Sequence, residues 1–110
     1  MSRARALFAA AAALLAFAPG AAFAAAAPDG KAMFAKNCAI CHLQGGAGTF
    51  MLGRRLGPEK ALLLARKDLQ PVYVTTVVRR GLASMPWFTR VELTDAELAS
   101  VTAYLAGDTR

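Results

Sequence analysis

Cys38-Ala39-Ile40-Cys41-His42 holds the only two cysteines and the only histidine of a 110-residue chain. Two thiols separated by two residues can add to the vinyl groups on adjacent pyrrole rings of a haem. The next residue then lies beneath the iron, where a neutral imidazole can bind it. C-x-x-C-H is the pattern of c-type haem attachment. Cys38 and Cys41 are therefore expected to form thioethers to one haem, and His42 to be the proximal iron ligand. Other uses of these residues fit less well. A thioredoxin-like dithiol belongs near a βαβ pattern, which is absent. A structural zinc site takes about four ligands, and the chain has three Cys and His in all. A disulfide at this spacing has poor geometry and leaves His42 without a role.

The opposite face of the iron then needs a ligand or stays open. With a single histidine in the chain, the available donor is a methionine thioether. After Met1 the sequence offers Met33, Met51 and Met85. Met33 falls on the helix that leads into the attachment site, a position that suits core or surface. Met51 follows His42 by nine residues, a short span for rounding the edge of a haem. Met85 follows it by 43, in Ser84-Met85-Pro86, with Gly81 upstream to shape a rigid turn. Met85 is the expected distal ligand, against the alternative that it fills core as methionines often do. A thioether favours reduced iron, so Met/His ligation raises the potential. It also closes the iron to oxygen and peroxide. That combination suits outer-sphere electron transfer rather than catalysis. A small peroxidase or gas sensor would need an open sixth position.

The N-terminus has a separate character. Arg3 and Arg5 precede the apolar run Ala6 to Ala18; Pro19-Gly20 follows, then Ala22-Phe23-Ala24. A basic start, a short apolar stretch and a small-x-small end form a secretory signal peptide. A membrane span needs about 20 apolar residues. Residues 1–24 are expected to be removed, leaving a domain over 25–110 without a span. Of the 13 Lys and Arg only Arg3 and Arg5 would be lost, so the seven acidic residues would leave the mature chain mildly basic. It carries no basic stretch interleaved with aromatics, as single-strand nucleic-acid binders do. A domain this short has a thin core and commonly needs a staple.

The mature chain reads as all-α: about four short helices around one covalently bound haem. Asp29 can cap a first helix, Gly30 to Cys38. Leu43 to Gly57, with Gly45, Gly46, Gly48, Gly53 and Gly57, reads as a loop. Pro58 opens a second helix through Leu62-Leu63-Leu64. Pro71 to Arg80, closed by Gly81, reads as a third; Val72, Val74, Val77 and Val78 could also make a strand, but the proline start and glycine stop favour helix. Thr94-Asp95-Ala96-Glu97 is a capping box that starts the last helix, Asp95 to Ala106.

With these motifs the chain resembles the class I cytochromes c over residues 28–106. The family's first helix has a glycine eight residues before the first cysteine and an aromatic four before it; Gly30 and Phe34 match. Its last helix has an aromatic followed by leucine, matched by Tyr104-Leu105 with Val101 one turn earlier. The resemblance implies that Gly30 and Phe34 pack against Val101, Tyr104 and Leu105. The distal Met-Pro-x-Phe motif looks like Met85-Pro86-Trp87-Phe88. Many members also place a proline about a dozen residues after the histidine, whose carbonyl accepts the imidazole hydrogen bond. Residues 43–57 contain none, which leaves the acceptor for His42 unassigned.

The segment from Gly48-Thr49-Phe50-Met51-Leu52 through Arg90-Val91-Glu92-Leu93-Thr94 is similar to small cytochromes that accept electrons from periplasmic dehydrogenases. Those donors are flavoproteins such as p-cresol methylhydroxylase, or quinoprotein alcohol dehydrogenases. The resemblance thus implies a periplasmic carrier, free or bound to its dehydrogenase, that passes electrons to a downstream cytochrome or oxidase of the respiratory chain. Trp87 and Phe88 either shield the haem or supply an apolar docking patch. Arg54, Arg55, Lys60, Arg66, Lys67, Arg79, Arg80 and Arg90 read mostly as solvated faces, with a subset placed to steer an acidic partner.

Overall fold

The computed structural model describes Gly20 and residues 24–107. The expected leader, residues 1–24, falls almost wholly outside the described residues. Those described form five α-helices: α1 (Gly30–Asn37), α2 (Ala39–His42), α3 (Ala47–Leu56), α4 (Pro71–Arg80) and α5 (Asp95–Ala106). Two 3₁₀ turns, Pro58–Lys60 and Leu63–Ala65, lie between α3 and α4. Among the described residues there is no strand, only an isolated antiparallel bridge between Leu82 and Met85. No described helix is long and apolar enough to cross a membrane. The all-α architecture is the one the sequence implies.

The local signals act as their chemistry requires. The Asp29 carboxylate accepts from the backbone N–H of Lys31 at 3.0 Å, satisfying a donor that α1 cannot pair internally. The helix ends at Cys38, which stands at φ −123°, and α2 restarts at once as a single turn ending on His42. Pro71 opens α4, and Gly81, at φ 74°, ends it by donating to the Val77 carbonyl at 2.7 Å. The Thr94 hydroxyl accepts from the Glu97 N–H while Glu97 accepts from the Thr94 N–H, so the capping box is complete.

Two local expectations fail. The glycine-rich stretch after His42 is not a loop throughout, because residues 47–56 form α3. Its Thr49 hydroxyl reaches back to the Leu43 carbonyl at 2.8 Å. The helix keeps its glycines for contact rather than for freedom: a Cβ on Gly53 would stand 3.3 Å from Ala61 Cβ, and Gly48 is tighter still. Conversely, the helix expected from Pro58 is two separate 3₁₀ turns, broken at Leu62, whose backbone is extended. Three consecutive leucines at about 100° per residue would spread over more than half a helix circumference. The broken form lets Leu63 and Leu64 both pack on the core.

The α1–α5 crossing organises that core. Phe34 on α1 meets Tyr104 on α5 with ring centroids 5.8 Å apart and planes at 56°. Leu69, Val101 and Leu105 complete this cluster, while Val78, Leu93 and Leu98 form a second one where α4 meets α5. The contacts implied for Gly30 and Phe34 are present. A Cβ on Gly30 would overlap the Ser100 carbonyl oxygen and stand 2.9 Å from Tyr104 Cβ. These are backbone and near-backbone atoms that cannot turn aside. Gly30→Ala is therefore expected to force the helices apart and cost about 1–3 kcal/mol or more, as overpacking does. A urea titration would show a lowered midpoint with an unchanged slope; an unmoved midpoint would mean that the crossing tolerates a methyl group.

Candidate metal centre

A cavity of about 330 Å³ opens between the two core clusters. Apart from Tyr104, every buried apolar residue of both clusters lines it: Phe34, Leu69, Val78, Leu93, Leu98, Val101 and Leu105. Cys38, Cys41, His42 and Met85 line it too. The four residues singled out from sequence therefore reach one apolar chamber from two chain segments 43 residues apart. Met51 also borders the chamber, whereas Met33 packs on the Phe34 cluster, the core role expected of it.

Cys38 and Cys41 form no disulfide. Burial pushes the Cys38 thiol up to about 11. A redox dithiol needs the opposite, a lowered pKa that yields thiolate at neutral pH. Burial also holds His42 below its ordinary value, so the ring is neutral, the form in which imidazole binds a metal. His42 Nδ1 is buried with no hydrogen-bond partner. Van der Waals contact fixes the ring instead. A Cβ added to Gly48 would stand 2.9 Å from His42 Cε1, 3.0 Å from Nδ1 and 2.9 Å from the Cys41 carbonyl oxygen. The start of α3 is thus pressed flat against the imidazole, and only glycine fits there. The sequence places Gly48 in a loop; the helix that carries it and the ring it meets are not legible there.

Met85 is presented by the segment between α4 and α5. Leu82 and Met85 exchange backbone hydrogen bonds at 3.1 and 2.9 Å, closing a tight turn in which Ala83 takes φ 53°. Downstream, Phe88 N–H donates to the Val78 carbonyl at 2.8 Å. Phe88 lines the chamber, while Trp87 is 64% exposed, so the two aromatics divide the shielding and surface roles between them. Thr89 and Glu92 form a second box that sequence reading missed: the Glu92 carboxylate accepts from Thr89 N–H and Oγ1, both at 2.8 Å. The Thr-x-x-Glu spacing that found Thr94–Glu97 would have found it.

The charges resolve into networks. Arg66 forks onto Asp68 at 2.8 and 2.9 Å, with Lys60 3.4 Å from the same carboxylate, and holds it well below the usual carboxylate range. Arg79 and Arg90 share Asp95. Arg55 and Arg66 are the cations that border the chamber.

The residues present fit a haem with an iron at its centre. The walls are apolar, two thiols stand at attachment spacing, and a buried neutral imidazole and a thioether serve the same chamber. Comparison with known proteins agrees. The sequence model of the family described as cytochrome c oxidase, cbb3-type, subunit III matches residues 25–105. A cytochrome c6 of Picosynechococcus sp. is 39% identical over 90 residues, covering 77% of this chain and 75% of the relative. A cytochrome c6 of Cyanidioschyzon merolae is 35% identical over 80 residues, covering 69% and 68%. The chain belongs to the small class I c-type cytochromes, and as such it is a monohaem electron carrier, not an enzyme, with haem c as its covalent cofactor.

Proposed function

We propose that Cys38 and Cys41 carry the haem, that His42 and Met85 bind its iron from opposite faces, and that the mature protein, residues 25–110, works in the periplasm after removal of a leader over 1–24. The observation that carries this reading is the convergence of all four side chains on one chamber. Met51 is the rival thioether, but it sits one turn beyond Gly48, on the helix pressed against the His42 ring. It therefore belongs to the histidine's wall, where it borders the chamber and is 42% exposed. The family match beginning at residue 25 supports the domain boundary.

When bound, haem c supplies a one-electron iron couple. The chain's own residues tune and protect it. The neutral His42 ring is held by shape against Gly48, and the thioether of Met85 favours reduced iron and raises the potential. The apolar walls exclude water, so little reorganises as charge changes. The donor is a periplasmic dehydrogenase, a flavoprotein of the p-cresol methylhydroxylase type or a quinoprotein. A match to a family named for an oxidase subunit supports an acceptor at the oxidase end of a respiratory chain. Arg54, Arg55 and Arg80 are the cations placed to meet an acidic partner. Arg66, Arg79 and Arg90 are already held by carboxylates of this chain.

Three expectations follow from this reading. Met85→Ala abolishes the near-infrared thioether-to-iron absorption of the oxidised protein and lowers the midpoint potential, while Met51→Ala leaves both unchanged; a band that survives Met85→Ala and vanishes in Met51→Ala would reverse the assignment. Gly48→Ala drives a methyl group into the imidazole and is expected to cost about 1–3 kcal/mol. It should also shift the His42 ring resonances in a proton spectrum of the haem protein; unmoved resonances would show that Gly48 does not set the ring. Finally, reduction of the oxidised protein by candidate dehydrogenases, followed by stopped flow, should slow as salt rises from low to physiological strength. A flat salt profile would remove Arg54, Arg55 and Arg80 from the encounter.

A further inference from the structure

Met85 is carried by a segment without regular structure, and a neutral thioether binds iron weakly, so something must hold it in place. Upstream, the Leu82–Met85 turn fixes Met85 to its own loop; its side chain also rests on the Val78, Leu93 and Leu98 cluster, but apolar contact has no fixed direction. Immediately downstream, Pro86 has no N–H to donate. The first residue after Met85 tied to another element is Phe88, and two consecutive residues of α4 hold it. Val78 accepts its N–H at 2.8 Å. Arg79 donates from Nη1 to its carbonyl at 3.0 Å, and from the same nitrogen to the Thr89 carbonyl at 3.2 Å.

The other arm of Arg79 goes elsewhere. Nη2 donates to Asp95 Oδ1 at 2.8 Å, and Asp95 is the first residue of α5. Arg90 Nε donates to Asp95 Oδ2 at 2.8 Å, returning the chain to the same carboxylate. Arg79 is 14% exposed, and its Nε is buried without a partner. A guanidinium on the surface for solubility alone would keep its nitrogens in water. This one gives up hydration to join α4, the return limb of the Met85 segment and the start of α5 through one planar group.

We propose that Arg79 is a positioning residue for the distal ligand: its guanidinium, braced by Asp95, clamps the Phe88–Thr89 backbone and thereby holds Met85 over the iron. The clamp acts on the ligand reading given above and rests on it. It predicts that the sixth position opens when the clamp is cut, even where the fold survives. Asp95 is 66% exposed, so its neutral isostere disturbs little else.

The test uses the haem-loaded protein in buffer, far below its denaturation midpoint. Carbon monoxide association with the reduced form is timed, and the near-infrared thioether band of the oxidised form is measured, for the parent, Met85→Ala, Arg79→Gln, Arg79→Lys and Asp95→Asn. Met85→Ala sets the fully open limit. Arg79→Gln should bind carbon monoxide at least about tenfold faster than the parent, equivalent to about 1.4 kcal/mol of lost closure, and weaken the band. Arg79→Lys keeps the charge but has one nitrogen, which cannot serve Phe88 and Asp95 together, and should rescue only partly. Asp95→Asn should shift both readouts in the same direction by less. A purely structural Arg79 would lower the urea midpoint and leave the rate and band at parental values, and that outcome overturns the clamp. Should Arg79→Gln not load haem, parental readouts from Asp95→Asn overturn it equally. A closed site in Met85→Ala would instead overturn the ligand reading, and the clamp with it.

Discussion

The close approach of α1 and α5 is the constraint on which the rest of the domain depends. Gly30 lets the backbone of α1 lie on the Ser100 carbonyl, and Phe34 then meets Tyr104 at 5.8 Å. From that crossing Phe34, Val101 and Leu105 project into the chamber, while Leu98, one turn nearer the start of α5, reaches the second cluster. The same α1 delivers Cys38, where the helix breaks and α2 restarts to present Cys41 and His42. One interhelical contact thus builds the apolar wall and aims Cys38, Cys41 and His42 at it.

The core is arranged around the chamber rather than beside it. Among the described residues, Tyr104 is the one buried apolar residue that does not face the cavity. Protein–protein packing in a domain of this size is thin, and the side chains of both clusters line one cavity, with Val74 packed against each. In a class I cytochrome the haem is therefore a packing element as well as a redox group, tethered by thioethers so that it cannot leave. The two roles reinforce each other, because walls that bury a flat apolar group tightly also keep water away from its iron and limit reorganisation when charge changes.

Much of this was legible in the sequence, and the exceptions have a common cause. The ends of α4 and α5 are written in strictly local chemistry, a proline start, a capping box and glycine stops, and both helices run where those signals put them. The Gly30–Tyr104 contact was legible only through resemblance to a family. The failures occur where a residue answers to something distant in the chain. Gly48 reads as loop until the His42 ring is seen against it. The Leu62–Leu64 run reads as helix until the core it must reach is in place. Arg79 sits among basic residues that mostly are solvated, and its partners are 9, 10 and 16 positions away. No local pattern marks such a residue.

The histidine and methionine sides of the chamber are consequently held by different physics. On the histidine side the imidazole is fixed by contact with a glycine backbone, and its Nδ1 has no acceptor among the described residues. Many class I cytochromes place a proline carbonyl there, which pulls on the ring proton and makes the ligand more basic. Shape alone fixes orientation without that electronic push. On the ligation proposed above, a less basic histidine stabilises oxidised iron less and so acts in the same direction as the Met85 thioether. On the methionine side, Met85 packs against the Val78, Leu93 and Leu98 cluster, and directed bonds from α4 tie down the Phe88–Thr89 backbone that follows it. If Met85 and His42 are the ligands proposed above, the weak neutral thioether is the one that needs a directed hold, whereas an imidazole wedged against backbone does not.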